Sequence, residues 1–204
     1  MKFAVNGHGA YAYTGGKPFD AGLPCLVLVH GALHDHSVWT LLARWFAHHG
    51  HGVLALDLPG HGRSAGPPLP SVEATADWLL AVLDAAGVAH AAVAGHSLGS
   101  LIALEAAARA PERITRLVML ATACPMKVSD ALFNTAREHP LKAMHMVNSF
   151  SISTHAAKPS HPGPGAWLHG GNQVLMERQV AQAWRGHGID LFTHDFQEIG
   201  RAHV

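Results

Sequence analysis

A serine lies between two glycines in residues 95–99, which read Gly-His-Ser-Leu-Gly. This spacing is typical of a covalent nucleophile held on a sharp turn between a strand and a helix. Gly95 and Gly99 would leave room for the adjoining strand and helix, because larger side chains at those positions would collide with them. We predict that Ser97 is the nucleophile and that His96 is a packing residue within the motif.

The five-residue motif is informative only together with the sequence around it, because glycine and serine are common residues. An apolar run at residues 91–94 precedes it and favours a buried strand. A helical pattern over residues 98–109 follows and ends before Pro111. The motif therefore has the strand–turn–helix context that a serine nucleophile requires.

Acyl transfer through a serine also needs two N–H donors for the negative charge that develops on the carbonyl oxygen. The first is expected at Leu98, at the start of a helix whose dipole favours negative charge. The second is expected in the loop after the apolar run 25–29, where His30, Gly31 and Ala32 follow. We predict Ala32 as the second donor, with Gly31 allowing close backbone approach and His30 supporting the motif.

Strands and helices that could position these residues alternate along the first 120 residues. The alternation predicts a parallel sheet with helices on both faces, and in such sheets the chemistry collects at the carboxyl ends of the strands. The predicted elements are a hairpin at 2–13, strands at 25–29, 53–57, 91–94 and 117–120, and helices at 37–49, 72–83 and 98–109. In the first helix, the helical period predicts one common face for Val38, Leu41, Leu42 and Trp45, with Trp39 and Trp45 in the core.

The amino-acid composition excludes several classes of function. Lys+Arg and Asp+Glu both number 14, so the formal net charge is zero and a broad binding surface for nucleic acid or an acidic membrane is excluded. Two distant cysteines exclude a disulfide scaffold, and the 18 histidines are not clustered at metal-binding spacings, so we expect no metal and no cofactor. Without an apolar leader or a membrane span, the expected location is the cytoplasm. The oligomeric state is left open.

The sequence resembles the α/β-hydrolase superfamily, in its esterase, lipase and lactonase-like branch. The resemblance is carried by His30-Gly31, by residues 57–64 (Asp-Leu-Pro-Gly-His-Gly-Arg-Ser), by residues 95–99, and by residues 111–114 leading into the strand at 117–120. It implies an α/β-hydrolase fold, a mostly parallel sheet with helices on both faces and a helical cap. Residues 57–64 are structural in that family, so Asp57 is not expected to be catalytic.

The resemblance implies hydrolysis of a carboxylic ester, thioester or lactone through an acyl-enzyme, with a small ester-like molecule as substrate. Ser97 argues against the relatives that use an aspartate nucleophile, which are dehalogenases and epoxide hydrolases. A C–C bond hydrolase or perhydrolase of the same fold stays open. So does a non-catalytic binding protein with an α/β-hydrolase-like fold.

The acid and histidine of a catalytic triad should follow the nucleophile in this fold. The late histidines His187, His194 and His203 follow no apolar strand, and Asp130 is a weak alternative for the acid. We therefore expect the acid, the histidine and the closing strands to lie beyond residue 204, and the present chain to be inactive.

Four segments are predicted from the pattern. Residues 1–124 form the N-terminal part of the core, residues 125–185 a helical cap, and residues 186–198 the start of a return to the core. Within the cap we predict helical stretches around residues 128–148 and 172–184, with a Pro/Gly-rich loop at 158–165 between them. Residues 199–204 read Ile-Gly-Arg-Ala-His-Val, which matches the translation of a common sequencing adapter. We expect this last segment to be an artefact of read-through rather than part of the protein.

Overall fold

In the computed structural model, residues 1–151 and 168–202 are described, and they form six strands and seven helices. The strands are β1 (Lys2–Val5), β2 (His8–Tyr13), β3 (Cys25–Val29), β4 (Gly52–Asp57), β5 (Ala91–His96) and β6 (Ile114–Leu120). The helices are α1 (Thr40–His48), α2 (Val72–Ala85), α3 (Leu98–Arg109), α4 (Asp130–Glu138), α5 (Pro140–Ser151), α6 (Leu168–His187) and α7 (Leu191–Arg201). A short 3-10 turn, His36–Trp39, precedes α1.

The six strands form one sheet in the order β1-β2-β4-β3-β5-β6. Strands β4, β3, β5 and β6 run parallel, whereas β2 pairs antiparallel with β4 on one side and with β1 on the other. Because β3 and β5 are neighbours, the loops that follow them meet at the same edge of the sheet. The predicted fold class, a mostly parallel sheet covered by helices, is confirmed.

Two apolar cores lie on opposite faces of the sheet, as the alternation of side chains along β3 requires. Val27 belongs to the larger core, which also contains residues of α2, α3 and α7, whereas Leu28 belongs to the smaller core against α1. All five residues of β3 are buried, in agreement with a central parallel strand.

The predicted buried face of α1 is wrong. Leu41 is 83% exposed and Trp45 is 54% exposed, whereas the small residues Ala43 and Ala47 face the sheet. A Cβ added to Gly15 would collide with the Ala43 carbonyl and the Ala47 methyl, so α1 lies too close to the chain for a large side chain there. The hydrophobic periodicity correctly indicates a helix here. It wrongly places the larger apolar residues on the buried face, which the small residues occupy in the structure.

Within the described residues, four helices follow the last strand of the sheet. The helical stretch predicted around residues 128–148 is divided into α4 and α5 at Pro140, whose ring disfavours helical geometry at the preceding residue. The Pro/Gly-rich loop 158–165 lies outside the described residues. The assignment of residues 125–185 to a cap and of residues 1–124 to the core stays a prediction.

Helix α7 covers the segment for which only a return to the core was predicted. Its apolar residues Leu191, Phe192 and Ile199 are buried in the larger core. The helix includes residues 199–201, and their origin as an adapter artefact stays a prediction. None of the helices in the described ranges combines the length and hydropathy that a membrane crossing requires.

Candidate active site

Ser97 occupies the sharp turn between β5 and α3. Its φ is 52° and its ψ is −120°, a left-handed conformation that residues with side chains rarely adopt. The Ser97 N–H donates to the Leu120 carbonyl at 2.9 Å, and the Ser97 carbonyl accepts from the Ser100 N–H at 2.8 Å. The neighbouring strand and the first turn of the helix thus hold the strained residue in place.

The glycines on either side of Ser97 are required by close packing. A Cβ on Gly95 would collide with the Gly99 backbone, and a Cβ on Gly99 would collide with the Val29 and His30 carbonyls. Gly31 is also constrained, though less tightly, since its Cβ would lie 2.8 Å from His96 Nδ1 and 3.1 Å from the His96 carbonyl oxygen. The loop after β3 therefore packs directly against the turn that carries Ser97.

His30 sets the direction of the first peptide unit in that loop. Its Nε2 accepts the Leu58 N–H at 3.1 Å, so Nδ1 carries the proton and donates to the Gly31 carbonyl at 2.8 Å. In a trans peptide the N–H points opposite to the carbonyl, so the Ala32 N–H is directed away from His30. Burial and the nearby His61 lower the pKa of His30 to about 3, in agreement with its neutral state.

The next peptide unit is held at both ends. The Leu33 N–H donates to Asp195 Oδ2 at 2.9 Å, and the Ala32 carbonyl accepts from His34 Nδ1 at 2.7 Å. Leu33 itself has a φ of 60°, a second left-handed residue that is not glycine. Asp195 comes from α7, far along the chain, and is 1% exposed.

His61 and Asp195 form a buried ion pair below this loop. His61 Nε2 donates to Asp195 Oδ2 at 2.9 Å and His61 Nδ1 faces the Pro59 carbonyl at 3.1 Å, so both ring nitrogens carry protons. Burial alone would lower the pKa of His61, but the Asp195 carboxylate raises it above its ordinary value. Burial would raise the pKa of Asp195, but His61 and the hydrogen bond from His194 hold it well below its usual range.

The structure also brings Asp35, His36 and Asp57 together, with one ligand-type atom from each within 4.8 Å of the others. These groups already have protein partners. Asp57 accepts from the His36 ring at 2.7 Å and from the Arg63 N–H at 2.7 Å, and Asp35 accepts from Ser37 N–H at 2.9 Å. These hydrogen bonds join neighbouring loops, and the expectation of no metal stays a prediction.

Side chains of α6 connect the following segment to the loops around the site. Gln179 is fully buried, and it donates to Asp35 Oδ2 at 2.8 Å while accepting the Gly62 N–H at 2.9 Å. Asn172 lies 2.7 Å from His34 Nε2 and donates to Asn148 Oδ1 at 3.1 Å. The loop that contains Ala32 is therefore tied both to α6 and, through Asn172, to α5.

The predicted residues Ser97, Leu98, His30, Gly31 and Ala32 lie together where β3 and β5 end. Among residues 1–151 and 168–202, no hydrogen bond joins the Ser97 hydroxyl to a histidine. The predicted alternative acid Asp130 lies at the start of α4.

Sequence reasoning missed Asp195. The available signal was a carboxylate on the same helical face as Phe192 and Ile199, where a buried acidic residue must have a partner. Residues 192–196 are too short and too mixed in polarity to indicate a buried strand, so local hydrophobicity did not draw attention to Asp195.

Three comparisons place the chain among known proteins. The family model for the alpha/beta hydrolase fold matches residues 24–159. The dihydrolipoyllysine-residue acetyltransferase component of an acetoin cleaving system from Pseudomonas putida is 39% identical over 105 residues, which are 51% of this chain and 28% of that protein. A pimeloyl-[acyl-carrier protein] methyl ester esterase from Aromatoleum aromaticum is 41% identical over 101 residues, which are 48% of this chain and 37% of the relative.

A solved structure described as a thermophilic esterase superposes with a TM-score of 0.74 and 21% identity, covering 100% of this chain and 69% of the other. At that identity the likeness concerns the fold. The matched segments span well under half of the length of the curated relatives. The family model, by contrast, matches most of the chain, and its match includes the loop after β3 and the turn at Ser97. The chain belongs to the α/β-hydrolase fold family.

Proposed function

We propose that the protein is a serine hydrolase that cleaves a carboxylic ester, thioester or lactone of a small molecule through an acyl-enzyme. The observation that carries this proposal is the left-handed backbone of Ser97 between β5 and α3, enclosed by glycines that no larger residue could replace. Strain of this kind is costly and is concentrated at functional sites. A merely structural turn between a strand and a helix has no need of it.

The proposed chemistry begins with attack of Ser97 Oγ on the substrate carbonyl carbon. The carbonyl electrons move to oxygen, and the Leu98 and Ala32 N–H groups donate to that oxyanion. Collapse of the intermediate expels the alcohol or thiol, which takes up the proton lost from Ser97, and water then hydrolyses the acyl-enzyme by the same route. For a lactone, the leaving alcohol remains part of the acyl group.

The Leu98 N–H suits this role because it is the first residue of the twelve-residue helix α3, where unpaired backbone N–H groups favour an anion. The Ala32 N–H suits it because His30 holds the preceding carbonyl in the opposite direction. Both loops follow adjacent parallel strands, which supports the convergence of the two donors on one oxygen.

A general base is also required, since a serine hydroxyl is a poor nucleophile at neutral pH. The described residues supply no histidine that is hydrogen-bonded to Ser97, and we place the base in the part of the complete gene product beyond residue 204. The second candidate is a non-catalytic binding protein of the same fold, which needs no such base. The two candidates differ in whether the complete gene product turns over esters.

The test uses the protein expressed from the complete source gene, assayed against short-chain and long-chain esters, a thioester and a lactone. Hydrolysis of at least one substrate that is abolished by Ser97→Ala supports the serine hydrolase. The matched control Ser129→Ala alters an exposed serine that only caps α4, and it should retain wild-type turnover. Binding without turnover in the folded wild-type protein would favour the non-catalytic candidate.

A further inference from the structure

The Ala32–Leu33 peptide unit cannot hold its orientation by local preference alone. Leu33 has a φ of 60°, a region that residues with a Cβ rarely enter, and its side chain is fully buried. A relaxed backbone would rotate this unit. Because it shares the Ala32 Cα with the Gly31–Ala32 unit, such rotation would also redirect the Ala32 N–H.

The group that opposes this rotation is Asp195. Its Oδ2 accepts the Leu33 N–H at 2.9 Å, in a contact between residues 162 positions apart in sequence. Both residues are buried, so water could not replace the carboxylate. The opposite end of the unit, the Ala32 carbonyl, is held by His34 Nδ1 at 2.7 Å.

Asp195 is in turn fixed by two histidines. His61 Nε2 donates to the same Oδ2 at 2.9 Å, and His194 Nδ1 lies 3.2 Å from Oδ1. His61 is itself 2% exposed and is anchored at the Pro59 carbonyl. The carboxylate therefore has little freedom to turn away from the Leu33 N–H.

We propose that Asp195, supported by His61, is a positioning residue of the oxyanion hole, which holds the Leu33 N–H so that the Ala32 N–H stays directed at the developing oxyanion. This inference rests on the proposed serine hydrolase function. Helix α7 thereby contributes to catalysis through Asp195, although Asp195 does not contact the substrate.

The test compares Asp195→Ala with Asp190→Ala in the protein expressed from the complete source gene. Alanine removes both carboxylate oxygens of Asp195, so the buried Leu33 N–H loses its acceptor. Asp190 caps the same helix from an exposed position and accepts the Thr193 N–H at 3.2 Å, away from the loop after β3. The control therefore perturbs α7 without altering the Leu33 contact.

We expect Asp195→Ala to lower kcat by about tenfold or more, with KM within about threefold of wild type, because a misdirected donor weakens stabilisation of the transition state rather than substrate binding. The preference for an ester over the matching thionoester should also decrease, because sulfur accepts hydrogen bonds poorly and gains less from the oxyanion hole. Asp190→Ala should keep wild-type kcat and preference. A folded Asp195→Ala with both values unchanged would overturn the inference.

A measurement on the wild-type protein covers the case in which Asp195→Ala does not fold. If Asp195 holds the Leu33 N–H, the Leu33 amide hydrogen should exchange with solvent at least about a hundredfold more slowly than an unprotected amide. Rapid exchange would overturn the inference. A wild-type protein without ester turnover would refute the proposed function and this inference with it, whereas an active wild type with an unchanged Asp195→Ala would refute the inference alone.

Discussion

At the scale of single residues, the site depends on close backbone packing as much as on reactive groups. Ser97 and Leu33 both have left-handed backbones, and each is held by hydrogen bonds from a different part of the chain. The same packing leaves no space at Gly99, where backbone atoms would meet any Cβ. Substitution there tests how rigid the turn is.

Gly99→Ala should destabilise the protein by about 1–3 kcal/mol, because its methyl group would overlap carbonyl groups that cannot move away. The free energy of unfolding from urea titrations measures the effect. Gly170→Ala is the matched control, since nothing lies within 4 Å of its added Cβ in α6. That variant should be neutral or gain up to about 1 kcal/mol from helix propensity. Equal stability of both variants would contradict the packing argument.

The buried His61–Asp195 pair predicts a pH dependence of stability. The pKa of His61 is raised above its ordinary value of 6.5, and a group with a raised pKa adds stability that is present below the unfolded value and is lost as the pH rises through the folded value. We therefore expect the free energy of unfolding to fall as the pH increases above 6.5, and to fall less in His61→Gln.

The pKa values of His194 and Glu198 are also raised in the folded protein, that of Glu198 to about 7 by burial. Both groups therefore also lower the free energy of unfolding as the pH rises. Both remain in the His61→Gln variant, but the His61 charge lowers the pKa of each, so the difference between the two proteins reports His61 together with its effect on these two neighbours. Parallel curves of the free energy of unfolding against pH for the two proteins would show that folding does not raise the pKa of His61.

At the scale of elements, α6 and α7 hold the loops of the site by polar contacts. Gln179 bridges Asp35 and Gly62, and Asp195 reaches Leu33. Buried amides and carboxylates of this kind need hydrogen-bond partners within the protein, because water cannot replace a partner that is lost. Helix α6 is therefore expected to be fixed on the core rather than free to open.

Gln179→Leu should lower the free energy of unfolding by about 1–3 kcal/mol, since the Gly62 N–H and Asp35 Oδ2 both lose a partner. Arg178→Ala, at the exposed neighbouring position, should remain within about 0.5 kcal/mol of wild type. Urea unfolding of the two variants measures both values. An unchanged stability of Gln179→Leu would mean that α6 contributes little to the folded core.

The sequence predicted the elements whose pattern is local. The strands at β3 and β5, the turn at Ser97 and the loop at His30 follow from apolar runs, glycine spacing and periodicity. It failed for the face of α1, because burial of Ala43 and Ala47 depends on how closely the helix approaches the chain at Gly15. The Leu33–Asp195 contact joins distant parts of the chain, so its partner is not evident from local periodicity.

At the scale of the whole molecule, β6 forms one edge of the sheet in the described part of the chain. Val118 is 49% exposed and Leu120 is 41% exposed. A groove of about 600 Å³ beside this edge is lined by Leu26, Phe46 and Val118, among others. An apolar strand edge of this kind is a site of self-association.

We expect the 204-residue chain to self-associate at micromolar concentration, and Val118→Lys to reduce that association by placing a charge on the edge strand. Leu141→Lys, at a residue 62% exposed on α5, should leave it unchanged. Sedimentation velocity distinguishes the variants. Equal self-association of all three proteins would show that the contact between chains does not involve the edge strand β6.

The most direct test of the proposed function is labelling with a fluorophosphonate, which reacts with an activated serine. The protein expressed from the complete source gene should gain a single phosphonyl group, and peptide mapping by mass spectrometry should locate it on Ser97. Ser97→Ala should gain none, while Ser129→Ala should be labelled as wild type is. Labelling that persists in Ser97→Ala, or a folded wild-type protein that is not labelled at all, would contradict the account.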